Sequence, residues 1–435
     1  MTTYADHLRR AVENSDRFAR SPRAAQEQFQ FTALAKLAAH AHHASPFWRA
    51  RLDAAGWSPG MPFDRALLER LPPLTRTDVQ TRYADLKARP VDPAWGKVVL
   101  VSTSGSTGQP VTVDRTTLQG LQYDTATMLN HLWHKRDFSL KLAAVRDVSK
   151  TTRMKTWGHP AAKLFQTGPC VAMRTRGNDA DVEAELDWVE AERPDYLITQ
   201  PGRLLGLARA AIARAGPRPK IRHVITFGES VTPTHRELAR QAFGAEIKDL
   251  YSCRDTGYLA LQCPHHEHYH ALSDVVLLET VGSDGKPAAP GEPGNLLVTI
   301  LHSLAMPMIR YEVGDFAVAG EAPCDCGLQS PVLARILGRN RNLARLPDGR
   351  LRYVSFPGQK FLQIAPLRDY RLIQRGASLM EVHVECPVTL TALQHSAIQD
   401  FIRDCMGFPI AVEVRQVPRV QHEAATKREE FVRIE

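Results

Sequence analysis

Val98-Val99-Leu100-Val101-Ser102, an apolar run of strand length, leads directly into Thr103-Ser104-Gly105-Ser106-Thr107-Gly108-Gln109-Pro110. Glycines let backbone N–H groups turn toward an anion, and the hydroxyls of Thr103, Ser104, Ser106 and Thr107 add donors, so the loop is suited to wrap a polyphosphate. A P-loop would end Gly-Lys-Ser/Thr. Here Gln109 and Pro110 follow Gly108, which disfavours a kinase or GTPase of that type. The alternative reading, a flexible Ser/Gly linker, suits a domain boundary, whereas this loop follows a strand in mid-domain.

Working outward, the residues before about 90 alternate Ala/Arg-rich stretches with breaks at Pro46, Pro59 and Pro72-Pro73, the texture of a helical lead-in. After Val98 short apolar runs alternate with helical patterns: VVLVS, then 195–199 before 203–215, then 223–227 before 235–244, then 246–251. That alternation predicts an α/β sheet with mostly parallel strands. Beyond Tyr258, runs at 258–263, 275–281 and 295–301, the last two separated by GSDGKPAAPGEPG, predict an antiparallel, β-rich lobe. From Gly338 onward, strand patterns at 346–356, 370–374, 379–386 and 410–417 and a helix pattern at 390–407 predict a small α+β domain. The expected organisation is a large domain over 1–339 and a small one over 340–435.

Composition sets outer limits. With 43% hydrophobic and 23% charged residues, the 435-residue chain has the mixture of a globular protein. No apolar run approaches the roughly 18 residues of a membrane span, and the first residues read as an amphipathic helix without the apolar core of a signal peptide, so the expectation is cytoplasmic. The net charge of +8 is scattered rather than clustered, which fits polyanionic small molecules such as ATP and coenzyme A and gives no sign of nucleic-acid binding. Seven cysteines form no disulfide framework and point to a reducing compartment.

Further segments follow the loop in order. They are Phe227-Gly228-Glu229-Ser230, Asp249-Leu250-Tyr251-Ser252-Cys253-Arg254-Asp255-Thr256-Gly257, Arg310-Tyr311-Glu312-Val313-Gly314-Asp315, Gly338-Arg339 and Thr426-Lys427. With the run TSGSTGQPV at 103–111 and the lead-in at 44–57 and 71–80, this series resembles the adenylate-forming enzymes, specifically their phenylacetate-CoA ligase-like, CapK-like branch. The resemblance covers nearly the whole chain and implies a role for each segment. Thr103 to Gly108 would hold phosphates, and Gly228, Glu229 and Ser230 would lie beside adenine and the acyl pocket. The 249–257 segment, with Asp249, Tyr251 and Ser252, would pack on adenine, and Asp255 would support Mg²⁺. Asp315 would accept from the ribose hydroxyls, Arg339 would contact ribose or phosphate before a hinge, and Lys427 would reach the α-phosphate and the attacked carboxylate.

The chain departs from the family pattern at several of these positions. Ser252 replaces Gly, Arg254 replaces Thr or Ser, and Asp255 replaces Glu. The shorter Asp stem requires the ion to shift or keep an extra water, and Arg254 adds a permanent cation beside the reacting groups. Asn340-Arg341-Asn342 stands where the family carries an acidic hinge residue, and Thr426 stands for the Gly before the lysine.

Cys263, the histidines of Pro264-His265-His266-Glu267-His268-Tyr269-His270, and the pair Cys324-Asp325-Cys326 place soft ligands in two segments. Two thiolates one residue apart with a distant Cys and a His would make a closed, structural Cys₃His zinc site of Cys263, His270, Cys324 and Cys326. His265, His266 and His268 are rival ligands, and free buried cysteines with solvent-facing histidines are the plainer reading. Several relatives carry a similar arrangement, with the histidine falling at His270.

The function implied is ATP-dependent conversion of a carboxylic acid to an acyl-adenylate, with pyrophosphate release and transfer to a thiol, that of coenzyme A. His131, Trp133, His134 and Trp157, near where relatives build the acyl pocket, would suit an aromatic acid. The alternatives are another acceptor (a carrier protein, an amine), a non-carboxylate oxyanion, or a nucleotide-binding protein without ligase activity. A homodimer is expected on general grounds alone.

Overall fold

The computed structural model describes residues 3–103, 110–146, 148, 150–175, 181–214, 216–282, 284–339, 343–352, 354, 356, 358–421 and 430–434. The chain divides into two compact units, Met1–Leu142 with Thr152–Val171 and Lys248–Ile336, and Ala143–Thr151 with Ala172–Ile247 and Leu337–Glu435.

In the first unit the lead-in is helical, as expected, over Tyr4–Ala19, Arg23–Ala44, Pro46–Ala54, Arg65–Arg70, Arg76–Thr81 and Tyr83–Leu86. Local chemistry sets where these helices begin. Thr3 and Asp6, and again Thr75 and Asp78, form reciprocal capping boxes, and Pro46 follows the Ser45 cap at the first helical position, where its missing N–H costs nothing. The helices share one core with the β-rich lobe: Leu34, Leu37, Trp48, Leu52 and Leu68 pack with Leu296, Val298, Ile309 and Tyr311. Polar groups that enter this core are satisfied. Gln30 donates to the carbonyls of Ser273 (3.0 Å) and Val276 (2.8 Å), and the Trp48 indole donates to that of Pro307 (2.8 Å).

The lobe is a sheet in the order Val276–Val281, Pro293–Ile300, Tyr311–Ala319, Val332–Arg339, Tyr269–Ala271, Gly257–Gln262, Glu246–Cys253. Its established pairings, such as that of Val276–Val281 with Pro293–Ile300, are antiparallel. Val98–Ser102 departs from expectation. Rather than joining a parallel sheet, it pairs antiparallel with Thr112–Thr116 in a separate two-stranded ribbon, Val98 opposite Thr116 and Ser102 opposite Thr112. The loop returns the chain at once, so the nearest strand wins the pairing, and Leu100 is left 65% exposed.

In the second unit, His223–Phe227, Tyr196–Thr199, Leu142–Arg146 and Cys170–Arg174 lie side by side, with Tyr196–Thr199 parallel to His223–Phe227 as the alternation predicts. Helices Pro201–Ala213 and Pro233–Phe243 both open on proline, and the second closes on Gly244 in the left-handed region. The final α+β region has its own sheet, ordered Ala411–Gln416, Leu379–Glu385, Asp369–Arg375, Phe431–Ile434. Helix Ala392–Met406 presents Ile398, Ile402 and Met406 to a core with Leu372, Val382 and Val412. The expected strand at 346–356 is instead a short hairpin of Ala344–Arg345 with Leu351–Arg352.

Candidate active site

Asp255 sits in the tight turn between strands Glu246–Cys253 and Gly257–Gln262, which close on each other with Cys253 opposite Gly257. It is buried, and the Tyr311 hydroxyl donates to one of its carboxylate oxygens at 2.8 Å. At the register shift just before the turn, Tyr251 donates its own hydroxyl to Asp315 at 2.8 Å. Thus the 251–255 and 311–315 segments, about sixty residues apart in the chain, interlock through two tyrosine–carboxylate hydrogen bonds. Burial, and then the neighbouring carboxylate, holds both phenols well above their ordinary pKa, so both remain donors.

Arg310 explains how the second segment is aimed. Its backbone is left-handed (φ 50°), an unusual state for a residue with a Cβ. The surroundings hold it there: its buried guanidinium pairs with Glu279 at 3.0 Å and donates to the Leu71 carbonyl at 2.6 Å. Leu74 and Glu312 brace the same turn from the backbone, Leu74 N–H to Arg310 C=O and Glu312 N–H to Leu74 C=O, each 2.9 Å. Arg310 is therefore a positioning residue. Gly314, at φ 79°, lies within strand Tyr311–Ala319 where its pairing with Pro293–Ile300 shifts register, directly before Asp315.

Thr103 anchors the base of the glycine-hydroxyl loop, its N–H donating to the Val111 carbonyl and its hydroxyl accepting from the Val111 N–H, both at 2.9 Å. Ser104, Gly105, Ser106, Thr107 and Gly108 lie outside the described residues, as do Lys427 and the 340–342 hinge segment. Arg254 is exposed, and its carbonyl accepts from Arg115 at 2.6 Å. Ser252 is half-buried between these groups in sequence. Asp249 is buried deeper along its strand, accepting from the Tyr269 hydroxyl at 2.6 Å while its N–H donates to Gln262 at 2.8 Å. In the second unit, Gly228, Glu229 and Ser230 follow strand His223–Phe227, and Glu229 accepts the Gly202 N–H at 2.7 Å, at the start of helix Pro201–Ala213. Arg339 ends strand Val332–Arg339 and is half-buried.

His131, Trp133, His134 and Trp157 do not line an open pocket. All four are buried, and His131, Trp157 and Phe138 pack ring against ring at 5.1–5.8 Å with Phe165 stacked on Phe138. The Trp157 indole is spent on the Leu140 carbonyl at 2.8 Å. The expectation of aromatic pocket walls from this segment is corrected: the residues form a core. A cleft does open beside the 251–257 turn, lined by Arg115, Gln119, Gln122, Tyr123, Thr256 and Tyr258, among others, with about 30 Å³ of free volume. Sequence reading had not singled out Arg115, Gln119, Gln122 or Tyr123. Their signal was the spacing of 119, 122, 123 and 126 along one face of helix Leu118–Trp133.

At the far end of the same sheet, Cys263, His270, Cys324 and Cys326 converge, their ligand atoms all within 4.8 Å of one another. Cys263 and Cys324 sulfurs are 3.8 Å apart, and Cys326 sulfur lies 3.3 Å from His270 Nε2. A tetrahedron with Zn–S near 2.3 Å has sulfur–sulfur edges of about 3.7 Å, so the donor set fits zinc. Backbone N–H groups of His265, Cys326 and Leu328 point at the sulfurs at 3.4–3.5 Å, and the His270 Nδ1 faces the Ser330 carbonyl at 3.5 Å, which turns Nε2 inward. His266 instead pairs with Asp325 at 2.6 Å.

No family model matches the chain. Among curated proteins it is 25% identical to the phenylacetate-coenzyme A ligase of Thermus thermophilus, over 74% of this chain and 72% of that protein. It is also 25% identical to the Escherichia coli phenylacetate-coenzyme A ligase, over 82% and 81%. Among solved structures, 2-hydroxyisobutyryl-CoA ligase in the postadenylation state superposes with a TM-score of 0.78 over 96% of this chain and 92% of that one, at 18% identity. The anthranilate CoA ligase AuaEII with anthranoyl-AMP gives 0.54 over 76% and 64%, at 15% identity. The chain is an AMP-forming acid ligase, similar in sequence to the phenylacetate-coenzyme A ligases. In this ligase the interlocked tyrosine–carboxylate pairs occupy the segments that the motif order singled out, and the fold is the mixed α/β arrangement of its structural relatives. Among the described residues, no helix of the ligase is long and apolar enough to cross a membrane.

Proposed function

We propose that this ligase activates a carboxylic acid with ATP and passes the acyl group to the thiol of coenzyme A. The observation that carries the reading is the joining of Tyr251 to Asp315 and of Tyr311 to Asp255, which ties two sequence-distant motifs together through two buried carboxylates. Asp315 accepts from Tyr251, and a carboxylate offers about four lone-pair sites, enough to accept from the ribose hydroxyls as well. One oxygen of Asp255 accepts from Tyr311, and its remaining hard oxygen suits Mg²⁺ that keeps waters and phosphate oxygens as its other ligands. Magnesium there would neutralise phosphate charge.

In the first half-reaction a carboxylate oxygen of the acid attacks the α-phosphorus of ATP, the bond to the bridging oxygen breaks, and pyrophosphate leaves. The protein supplies no nucleophile. Its residues position and neutralise: the 103–108 loop on the phosphates, Asp315 on ribose, Arg254 and Lys427 as cations near the developing charge. Residues 340–435 serve as the smaller domain, turning about a hinge next to Arg339 so that the thiol sulfur attacks the acyl carbon and AMP departs. Cys263, His270, Cys324 and Cys326 hold a structural zinc ion, which would tie the 263–270 turn to the 324–326 turn. The Cys263 and Cys324 sulfurs, 3.8 Å apart and not joined in a disulfide, support a reducing, cytoplasmic setting.

The test is acid-dependent pyrophosphate release from ATP and Mg²⁺ across short aliphatic, hydroxylated, aryl and aminobenzoic acids, with and without coenzyme A. Release stimulated by an acid, abolished in Lys427→Ala, with a thioester detected by mass, is the expected result. Release without thioester would move the acceptor to a carrier protein or an amine. ATP binding with no release from any acid would leave only nucleotide binding.

A further inference from the structure

The cleft beside the catalytic turn is lined by both polar and apolar side chains. Arg115, on strand Thr112–Thr116, reaches across to the Arg254 carbonyl at 2.6 Å, which places its guanidinium at the turn that carries Asp255. Helix Leu118–Trp133 lays Gln119, Gln122, Tyr123 and Ala126 along the cleft, the i, i+3, i+4, i+7 positions of one face. Gln119 spends its carbonyl oxygen on the Thr116 N–H at 3.0 Å, so its amide nitrogen is the group it has for a ligand. Two polar atoms of the lining are buried without a hydrogen-bond partner, Arg115 Nε and Thr256 Oγ1. Such orphans are uncommon because each forfeits its hydration, and a donor-rich set of this kind calls for an anionic oxygen ligand. Burial pulls the guanidinium below its ordinary pKa, with the Asp255 charge opposing. Leu272, Val275 and Ile300 add apolar surface to the lining.

We propose that Arg115 receives the carboxylate of the acid that is to be activated, and that the cleft beyond it accepts a short, unbranched or lightly branched acyl chain. This rests on the ligase reading above. The free volume of about 30 Å³ is small beside the roughly 300 Å³ at which drug-sized ligand pockets begin, which favours an acid of a few carbons over an aryl one. Arg115 then does two things with one fork. One N–H fixes the Arg254 carbonyl, and the others hold the nucleophilic carboxylate beside the carboxylate of Asp255.

The test separates acid from nucleotide. Pyrophosphate release is measured with acetate, propionate, butyrate, hexanoate and phenylacetate for the wild type, Arg115→Gln, Arg115→Lys and Ile300→Ala, with butyrate binding followed in parallel by saturation-transfer NMR. The expected result is a KM for short acids raised about 10- to 100-fold in Arg115→Gln, the scale of a charge-assisted hydrogen bond, with the KM for ATP unchanged and partial recovery in Arg115→Lys. Ile300→Ala should move the chain-length optimum to longer acids. An acid KM that does not change, an equal rise for acid and ATP, or a wild-type optimum at phenylacetate would overturn the assignment while leaving the ligase reading intact. Absence of release from every acid would instead sink the ligase reading. Butyrate binding that is lost in Arg115→Gln would even then uphold the cleft, and binding indifferent to Arg115 would not. Should Arg115→Gln fail to fold, an unmoved chain-length optimum in Ile300→Ala is the overturning result.

Discussion

Asp315 accepts from the Tyr251 hydroxyl and Asp255 from that of Tyr311, so their roles separate by substitution. Asp315→Ala removes the acceptor proposed for ribose and should raise the KM for ATP about 10- to 100-fold with little change in the acid KM, read by initial rates at varied ATP. Tyr311→Phe keeps the ring in its core and deletes only the donor to Asp255. It should lower kcat about 10- to 100-fold and alter the Mg²⁺ concentration for half-maximal rate, since one hydrogen bond to a charged carboxylate contributes about 1.5–3 kcal/mol. The residue types at 251, 255 and 315 were legible in the chain because the motif spacing carries them. That Tyr251 answers to Asp315 and Tyr311 to Asp255 was not, because a hydrogen bond between segments sixty residues apart depends on strand register. Asp249 shows the reverse: its motif position suggested the nucleotide, and its strand depth gave it to Tyr269.

Helix Leu118–Trp133 carries two different faces. One lines the cleft through Gln119, Gln122 and Tyr123, while His131, near its C-terminus, is buried against Phe138 and Trp157. Burial, with the Arg136 charge adding to it, keeps the His131 imidazole well below its usual pKa, hence neutral in the folded protein. The unfolded chain binds that proton at about pH 6.5. Stability from this group is therefore complete above that pH and lost as pH falls toward the folded value, by at most about 1.4 kcal/mol per pH unit. His131→Phe should flatten the drop in denaturant midpoint between pH 6.5 and 5, the wild-type minus variant difference isolating this one group. At this scale the sequence pattern was readable for helices, whose caps are local, and misleading for Val98–Ser102, whose apolar residues suggested a buried strand. Its pairing partner came from the return of its own loop, and the ribbon leaves that face open.

For the molecule as a whole, the four converging ligands predict a metal that matters to stability. The purified ligase should carry about one zinc per chain by mass spectrometry of the metal. Cys326→Ser should lose the zinc and lower the melting temperature by about 5–10 °C, whereas His266→Ala should keep it, since His266 is engaged with Asp325. By itself the sequence determined the class of the chain: the anion-binding loop, the motif order, the α/β-to-β succession and the candidate zinc ligands all follow from residue types at fixed local spacing. Only the tertiary structure decided what distance along the chain conceals. It turned the Trp157 segment into core, chose His270 over its neighbours to face three sulfurs, and brought Arg115 to the turn of Asp255. Local chemistry fixes turns, caps and loops because their partners lie within a few residues, while packing and register, which sum contacts over the whole chain, fix which side chains meet.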